Sequence, residues 1–592
     1  MFKNANQLDD FFGLKPEDSD TQRRETLKDT LVRKLSFRSR IRLLPKVLSV
    51  RERYVVIGFA LLFCLALISI PFTTFWHFTV SVPSRGGSFT EGVLGEPRLA
   101  NPILAQNDTD RDLARLMYAS LMKYNAEGKL IPDLAKSYEI STDGLAYTIY
   151  LRTDALWQDG KSVTADDVVF TIQTIQNEDY ASTQRPNWLS VTVEKQSDSV
   201  VIFRLKNKYA QFLPNLTVGI LPAHLWQDVQ PSGFALSELN IKPIGSGPYM
   251  FTKLTKDKTG HVISYDLDAY DKYFEGRPYI DRIVMRFFPT EDELIAAFNG
   301  NEIDNVGYIS PGNVEQLKFK NRLHILRLTL PRYFALFLNQ NQSKPLADKN
   351  VRLALAHAID RQAIIDGPLA GNGFIVNSPM LGGVLDINAN VKSYDYDVGL
   401  ANQILDAGGW ARGEDGMRSK NKEPLKLVIT TSTWPEFAAV TELIKKNWQA
   451  IGVQVEVQTF QLNQLTGIIR DRSYDALLFG QILPMDPDPF GFWHSNFRLG
   501  SGLNLSLYNN KTADTLLEDA RQTLNPLERA AKYDEFQNIL IDDVPAIFLY
   551  STYFIYGADK DIHGIDARLI ATPSDRFADV NHWYLETHRA WR

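Results

Sequence analysis

The stretch "YTIYLRTDALWQDGKSVTADDVVFTIQTIQ" runs from Tyr147 to Gln176. Tyr147, Ile149 and Leu151 alternate with more polar positions, the pattern of a half-buried strand. Asp159-Gly160 marks a tight turn. Thr164 is a good N-cap, with Asp166 and Asp167 in the first helical turn. Val168, Phe170, Ile172 and Ile175 then supply apolar surface to a helix. The stretch therefore reads as strand, turn and helix. Units of this kind fix the fold class if they recur.

They do recur. "HVISYDLDAYDKYFEGRPYIDRIVMRFF" holds a strand, a turn near Gly276 and a second strand. "EDELIAAFNGNEID" reads as a helix stopping at Gly300. Asp348 can cap a helix whose apolar side includes Val351, Leu355 and Ile359. "LKLVITTS" reads as a strand, "AAVTELIKKNWQAIG" as an amphipathic helix ending at Gly452, and "VQVEVQTF" as a strand again. "YDALLFG" is a short buried strand. "NPLERAAKYDEFQNILIDDVPAIFLY" is a helix followed by an apolar strand. Strand and helix alternate along the chain, so α/β lobes are expected.

At 592 residues the chain exceeds one compact domain. Its 44% hydrophobic and 23% charged residues are ordinary for a globular protein, and the net charge of -6 gives no sign of nucleic-acid binding. The charge is unevenly placed. Residues 1–53 carry 13 Lys/Arg against 8 Asp/Glu, a net +5, leaving -11 for the rest. Residues 54–84 contain no Asp, Glu, Lys or Arg. Their centre, "YVVIGFALLFCLALISIPFTTFW", is long enough to cross a bilayer as a helix. Basic residues before it predict a cytoplasmic N-terminus. The apolar run is longer than a signal-peptide core and no A-x-A-like site follows, so an uncleaved anchor is expected. Cys64 is the only cysteine and lies within this run. The segment after it thus has no disulfide, no cysteine zinc site and no cysteine nucleophile.

Five pieces occur in order along the chain: "GVLGEPRLANPILA", the long stretch from Leu116 that ends in "TADDVVFT", "GSGPY", "YDKYFEGRPYIDRI" and "PLADKNVRLALAHAIDR". Together they resemble the extracellular solute-binding proteins of family 5, the peptide- and nickel-binding receptors of ABC importers. The resemblance spans about residues 88–556. It implies a two-lobed type II periplasmic-binding-protein-like fold with an extra small domain. The expected organisation is a basic cytoplasmic tail over 1–53, an anchor over 54–78 and a linker over 79–87. Lobe I is expected from 86–125, 245–340 and 543–592, the extra subdomain from 126–244 and lobe II from 341–542. The resemblance also implies a monomeric receptor in the cell membrane, its binding domain outside the cytoplasm. Its partners would be a peptide ligand, an ABC permease and separate ATPase subunits.

The candidate site centres on "MDPDPFGFWHSN", Met485–Asn496. A D-x-D pair suits hard cations. Here Phe490 occupies the third ligand position of the calcium-loop pattern, and Pro487 and Pro489 stiffen the chain. Asp486 and Asp488 therefore either face a ligand or brace the turn. In several peptide binders of the family an Asp in this loop pairs with the ligand's α-amine; Met485 stands at that place. An acetylated peptide is accordingly expected to bind about as well as its free-amine twin. Phe490 and Trp493 are candidate cleft aromatics, as are Trp188, Tyr308 and Phe334, from segments that line the pocket in the family. No HExxH, G-x-S-x-G or phosphate-loop motif is present. No catalytic residue, metal or cofactor is expected. The alternatives are a receptor for an oligosaccharide or a metal chelate, a membrane-tethered metal-dependent enzyme using Asp486 and Asp488, and a surface chaperone using the same cleft.

Overall fold

Two mixed sheets and one antiparallel sheet organise the protein. The computed structural model describes residues 48–381, 387 and 391–591, so most of the basic tail lies outside the described residues. The opening unit forms as its pattern predicts. Strand Ala146–Leu151 buries Tyr147, Ile149 and Leu151 and leaves the intervening side chains half buried. Gly160 takes a φ of 91°, open to glycine at no steric cost. Thr164 and Asp167 form a capping box at the start of helix Ala165–Gln176. This unit sits in a four-stranded sheet, ordered Ala135–Ile140, Ala146–Leu151, Val200–Leu205 and Val191–Ser197. Trp157, Trp188, Phe203 and Phe212 fill its core.

A seven-stranded sheet is ordered Leu323–Leu328, Phe554–Asp559, Asn305–Ile309, Ser88–Leu94, Arg282–Phe288, Val262–Ala269 and Tyr249–Lys256. A six-stranded sheet is ordered Gly373–Ile375, Ala546–Thr552, Arg332–Leu338, Ala476–Ile482, Lys426–Ser432 and Gln454–Phe460. Its central strands are buried on both faces. That explains why their sequences read as continuous apolar runs rather than alternating ones. Helices Lys349–His357 and Pro435–Ala450 pack on one side, Lys511–Gln522 and Pro526–Asp543 on the other.

The topology corrects two expected lobe limits. Arg332–Leu338 and Ala546–Thr552 fall in stretches assigned above to lobe I, yet both hydrogen-bond within the six-stranded sheet. The reason is their pairing: Arg332–Leu338 lies between Ala546–Thr552 and Ala476–Ile482 in the sheet. The chain thus crosses between the two large sheets at residues 329–331 and again at Tyr553.

A buried ion network fastens the seven-stranded sheet to the segments around it. Arg576 donates to both oxygens of Asp112, at 2.8 and 2.6 Å, and to Glu91 Oε1 at 3.2 Å through Nη2. Asn305 and the Tyr556 hydroxyl each donate to Glu91 Oε2 at 3.0 Å. All five residues are buried.

The chain divides into two compact units, residues 83–586 and the flanking residues up to 82 with 587–592. Within the flanking unit, helix Val50–Phe78 has 29 residues and starts in a capping box formed by Ser49 and Glu52. At 1.5 Å per residue its length is about 43 Å. Phe59, Leu61, Leu62, Phe63 and Leu65 are exposed along it. Among the described residues no helix is long and apolar enough to cross a membrane. The side chains at 68 and 70–72, in this helix, lie outside that description.

Removing Arg576 would leave two buried carboxylates without their cation. Arg576→Ala is expected to cost about 3–5 kcal/mol of folding free energy. Urea unfolding of the full chain in detergent measures it. Arg576→Lys should recover only part, because an ammonium cannot bond both carboxylates in fork geometry.

Candidate functional site

The loop after strand Ala476–Ile482 carries Met485, Asp486 and Asp488. Neither carboxylate is free. Both oxygens of Asp486 accept from Arg529 Nη2, at 3.0 and 2.9 Å. Asp488 pairs with Arg521 Nε at 3.0 Å and accepts from the Tyr209 hydroxyl at 3.1 Å. Its other oxygen accepts from the Phe490 backbone N–H at 3.3 Å. The Gln211 amide donates to Pro487 O at 3.3 Å and to the Tyr533 hydroxyl at 2.9 Å. Arg521 lies over the rings of Tyr209 and Phe490, 5.0 and 4.3 Å from their centroids. The D-x-D pair is therefore a brace joining this loop to residues 209–211 and to the helices carrying Arg521 and Arg529. It is neither a metal site nor an acid–base pair. Among the described residues no group of His, Cys, Asp and Glu is arranged to hold a metal ion.

Burial pushes the Asp486 carboxyl up to about 6, despite the attraction of Arg529, and the charge on Asp488 adds to the rise. The folded state thus holds this proton more tightly than the unfolded chain does. The stabilisation is full below about pH 4 and is lost as pH rises to about 6.

The aromatic candidates separate into two groups. Trp188 and Trp493 are buried in cores, a correction to their expected place in the cleft. Trp188 packs against Phe203 and Phe212. Trp493 packs against Phe337, Tyr508 and Phe548 on one face of the six-stranded sheet. Both sit where helical segments meet sheet, and large apolar rings gain most there. His494 is likewise structural, with Nε2 3.0 Å from Glu518. Phe334 and Met485 are also buried, Phe334 within the core beside Phe437 and Tyr550, while Tyr308 is half buried. The Tyr308 ring, on the seven-stranded sheet, is tilted 39° against that of Phe554 at 5.4 Å. Phe334, on the six-stranded sheet, stacks on Tyr550 at 4.9 Å.

Met485 helps line a cavity of about 420 Å³. Helix Asp108–Met117 contributes Arg111 and Arg115, residues 187 and 215 contribute two Asn side chains, and Ser574 and Asp575 come from the C-terminal return. Tyr118 presents a buried hydroxyl there that has no hydrogen-bond partner among the described residues. Phe490 borders a separate cavity of about 530 Å³ beside Tyr209 and Arg521.

Around Tyr308 and Phe334 the structure assembles residues that the sequence reading missed. Arg332 opens its strand, and one of its Nη atoms donates to Thr552. Glu436 sits in the first turn of helix Pro435–Ala450 and accepts from the Tyr550 hydroxyl at 3.0 Å. Trp434, just before that helix, is 57% exposed. The available signal was "STWPEF", where an aromatic and an acid flank a proline that starts a helix.

Two lobes built on separate sheets, joined by two crossing segments and with polar cavities between them, make a two-lobed solute-binding fold. Residues 129–502 match the family of bacterial extracellular solute-binding proteins, family 5 Middle, and the chain belongs to it. This is a family of solute-binding proteins rather than enzymes. The chain is 29% identical to the oligopeptide-binding protein AppA of Bacillus subtilis over 480 residues, 79% of this chain and 87% of that one. It is 26% identical to the dipeptide-binding protein of Escherichia coli over 497 residues, 79% of this chain and 90% of that one. The structure of AppA in complex with a nonapeptide superposes with a TM-score of 0.67 at 27% identity, covering 85% of this chain and all of AppA. NikZ of Campylobacter jejuni in complex with Ni(L-His) gives 0.69 at 29% identity, covering 84% and 99%.

Asp486→Asn tests the brace. Relative to the native protein, the variant should gain unfolding free energy as pH rises from 4 to 6.5, by on the order of 2–3 kcal/mol. Paired denaturant titrations at the two pH values measure this. A constant difference would contradict the account.

Proposed function

We propose that this chain is the membrane-anchored receptor of an ABC importer, and that it binds peptides in the cleft between its two large sheets. The observation that carries the reading is the cavity of about 420 Å³ built by residues of both lobes and of the four-stranded domain. Guanidinium and amide groups converge there on an apolar wall of Leu483, Pro484 and Met485. Side chains of this kind bond main-chain amides of a ligand while leaving room for varied residues. The AppA and dipeptide-binding relatives support peptides as the class. Closure of the lobes would present the loaded receptor to a permease driven by separate ATPase subunits.

The anchor is the helix Val50–Phe78, with the basic residues before it kept in the cytoplasm. From Tyr54 onward it carries no Asp, Glu, Lys or Arg, and the large apolar side chains described along it are exposed, which supports this. The lobes would then lie outside the cytoplasm. The protein should stay with membranes after an alkaline carbonate wash, and protease added outside should spare its N-terminus. Release by the wash, or a mature chain beginning after residue 84, would contradict the anchor.

Trp434 supplies the binding test. A peptide pool should change the tryptophan emission of the native protein saturably. Trp434→Phe should lose most of that change, and Trp493→Phe should keep it. No saturable change with peptides, alongside one with nickel–histidine, would move the reading to a metal chelate.

A further inference from the structure

Helix Val50–Phe78 ends beside a strand that is distant in sequence. Strand Thr79–Ser84 follows directly from the helix and pairs with Glu586–Trp591 in a two-stranded sheet. Side chains two residues apart on a strand share a face. Arg589 and Trp591 are such a pair, and both meet the last turn of the helix. The Trp591 ring lies edge-on to Phe75, with 5.9 Å between centroids. The guanidinium carbon of Arg589 lies 3.4 Å from the centre of the Trp76 ring. Its Nη1 donates to Thr79 Oγ1 at 2.9 Å and to the carbonyls of Trp76 and Thr79 at 3.3 Å. Among the described residues its Nε and Nη2 make no hydrogen bond, and no carboxylate pairs with it.

The rings around this guanidinium are uncovered. Trp76 is 53% exposed, Phe78 54% and Trp591 68%. Such a cluster is an unfavourable surface in water and marks an interaction site. Its level along the helix says what covers it. Trp76 stands 22 residues after Tyr54. That is a rise of about 33 Å, close to the ~30 Å hydrocarbon thickness of a bilayer. With the helix across the membrane, Tyr54 meets one interface and Trp76 the other. Tryptophan rings collect at that level, and a guanidinium there can fork onto lipid phosphate. The cluster is also continuous with the exposed apolar side chains of the helix, so one bilayer serves both.

We infer that strand Glu586–Trp591 is a second membrane contact, with Trp591 in the outer headgroup layer beside Trp76 and Arg589 on lipid phosphate. The inference rests on the anchor reading above. It replaces a single tether by two paired strands at the membrane surface. The chain enters residues 83–586 through one and leaves through the other.

The test uses the full chain in sealed vesicles of phosphatidylcholine and phosphatidylglycerol. Their acyl chains carry bromine either near the headgroup or near the methyl end. Trp591→Phe keeps a ring against Phe75, so it should fold. The difference in tryptophan emission between the native protein and this variant isolates Trp591. That emission should lose most of its intensity with the shallow bromine and little with the deep one. In an Arg589→Gln background the shallow quenching should fall; unchanged quenching would remove Arg589 from the contact. Strong quenching by the deep bromine would place Trp591 in the hydrocarbon and overturn the headgroup assignment. Cys64, the only cysteine, reports on the anchor separately. A membrane-impermeant maleimide should label it only after detergent is added. Unquenched Trp591 with Cys64 protected would overturn the inference alone and leave the two strands a clasp in water. Labelling of Cys64 without detergent would overturn the anchor and the inference with it.

Discussion

Arg576 holds the first lobe together. It bonds Glu91, 485 residues earlier in the chain, and Asp112. Taking three charges out of water is expensive, and the cost is offset only when every partner arrives with good geometry. Glu91 and Asn305 sit on neighbouring strands of the seven-stranded sheet, and Tyr556 sits on the next. Asp112 belongs to helix Asp108–Met117, while Arg576 sits on the C-terminal return. Five distant segments must therefore meet at once. Their meeting also sets the cavity, since that helix carries Arg111 and Arg115 and the return carries Ser574 and Asp575.

The second constraint acts across the cleft. Tyr209 and Gln211 bond the loop at Asp488 and Pro487, and the backbone N–H of Ala210 donates to Arg521 O at 2.8 Å. The four-stranded domain is thereby held against the lobe that carries the loop. Bracing with Asp486 and Asp488 rigidifies the wall and removes both carboxylates from ligand chemistry. The lobe that carries Glu436 and Trp434 presents them at strand and helix ends, where rigid elements position side chains.

Much of the fold was legible. Period-2 strands such as Ala146–Leu151 and capped helices such as Ala165–Gln176 and Lys349–His357 follow local rules that sequence displays. The lobe limits near 340 and 543 were not, because sheet membership depends on pairing between distant strands, which no local pattern encodes. Of the candidate site residues, Met485 lines the cavity of about 420 Å³ and Phe490 a second one. Phe334 is packed in the core and Tyr308 is half buried beside Phe554. Trp188 and Trp493 are buried, and composition cannot tell a cleft aromatic from a core one. Asp486 and Asp488 were two unpaired acids in sequence; their arginines stand 43 and 33 residues later on helices, out of reach of any motif. Glu436 and Arg332 gave no motif at all, since their bonding partners Tyr550 and Thr552 stand 114 and 220 residues away in the chain.

Hydrogen exchange on the full chain, with and without the peptide pool, tests the central claim most directly. Peptide bound in the cleft should slow exchange together in residues 111–118, 332–336, 434–438 and 480–486, which belong to different elements and share only the cleft. Protection confined to one of these segments, or spread over surfaces away from all of them, would contradict a binding site between the lobes.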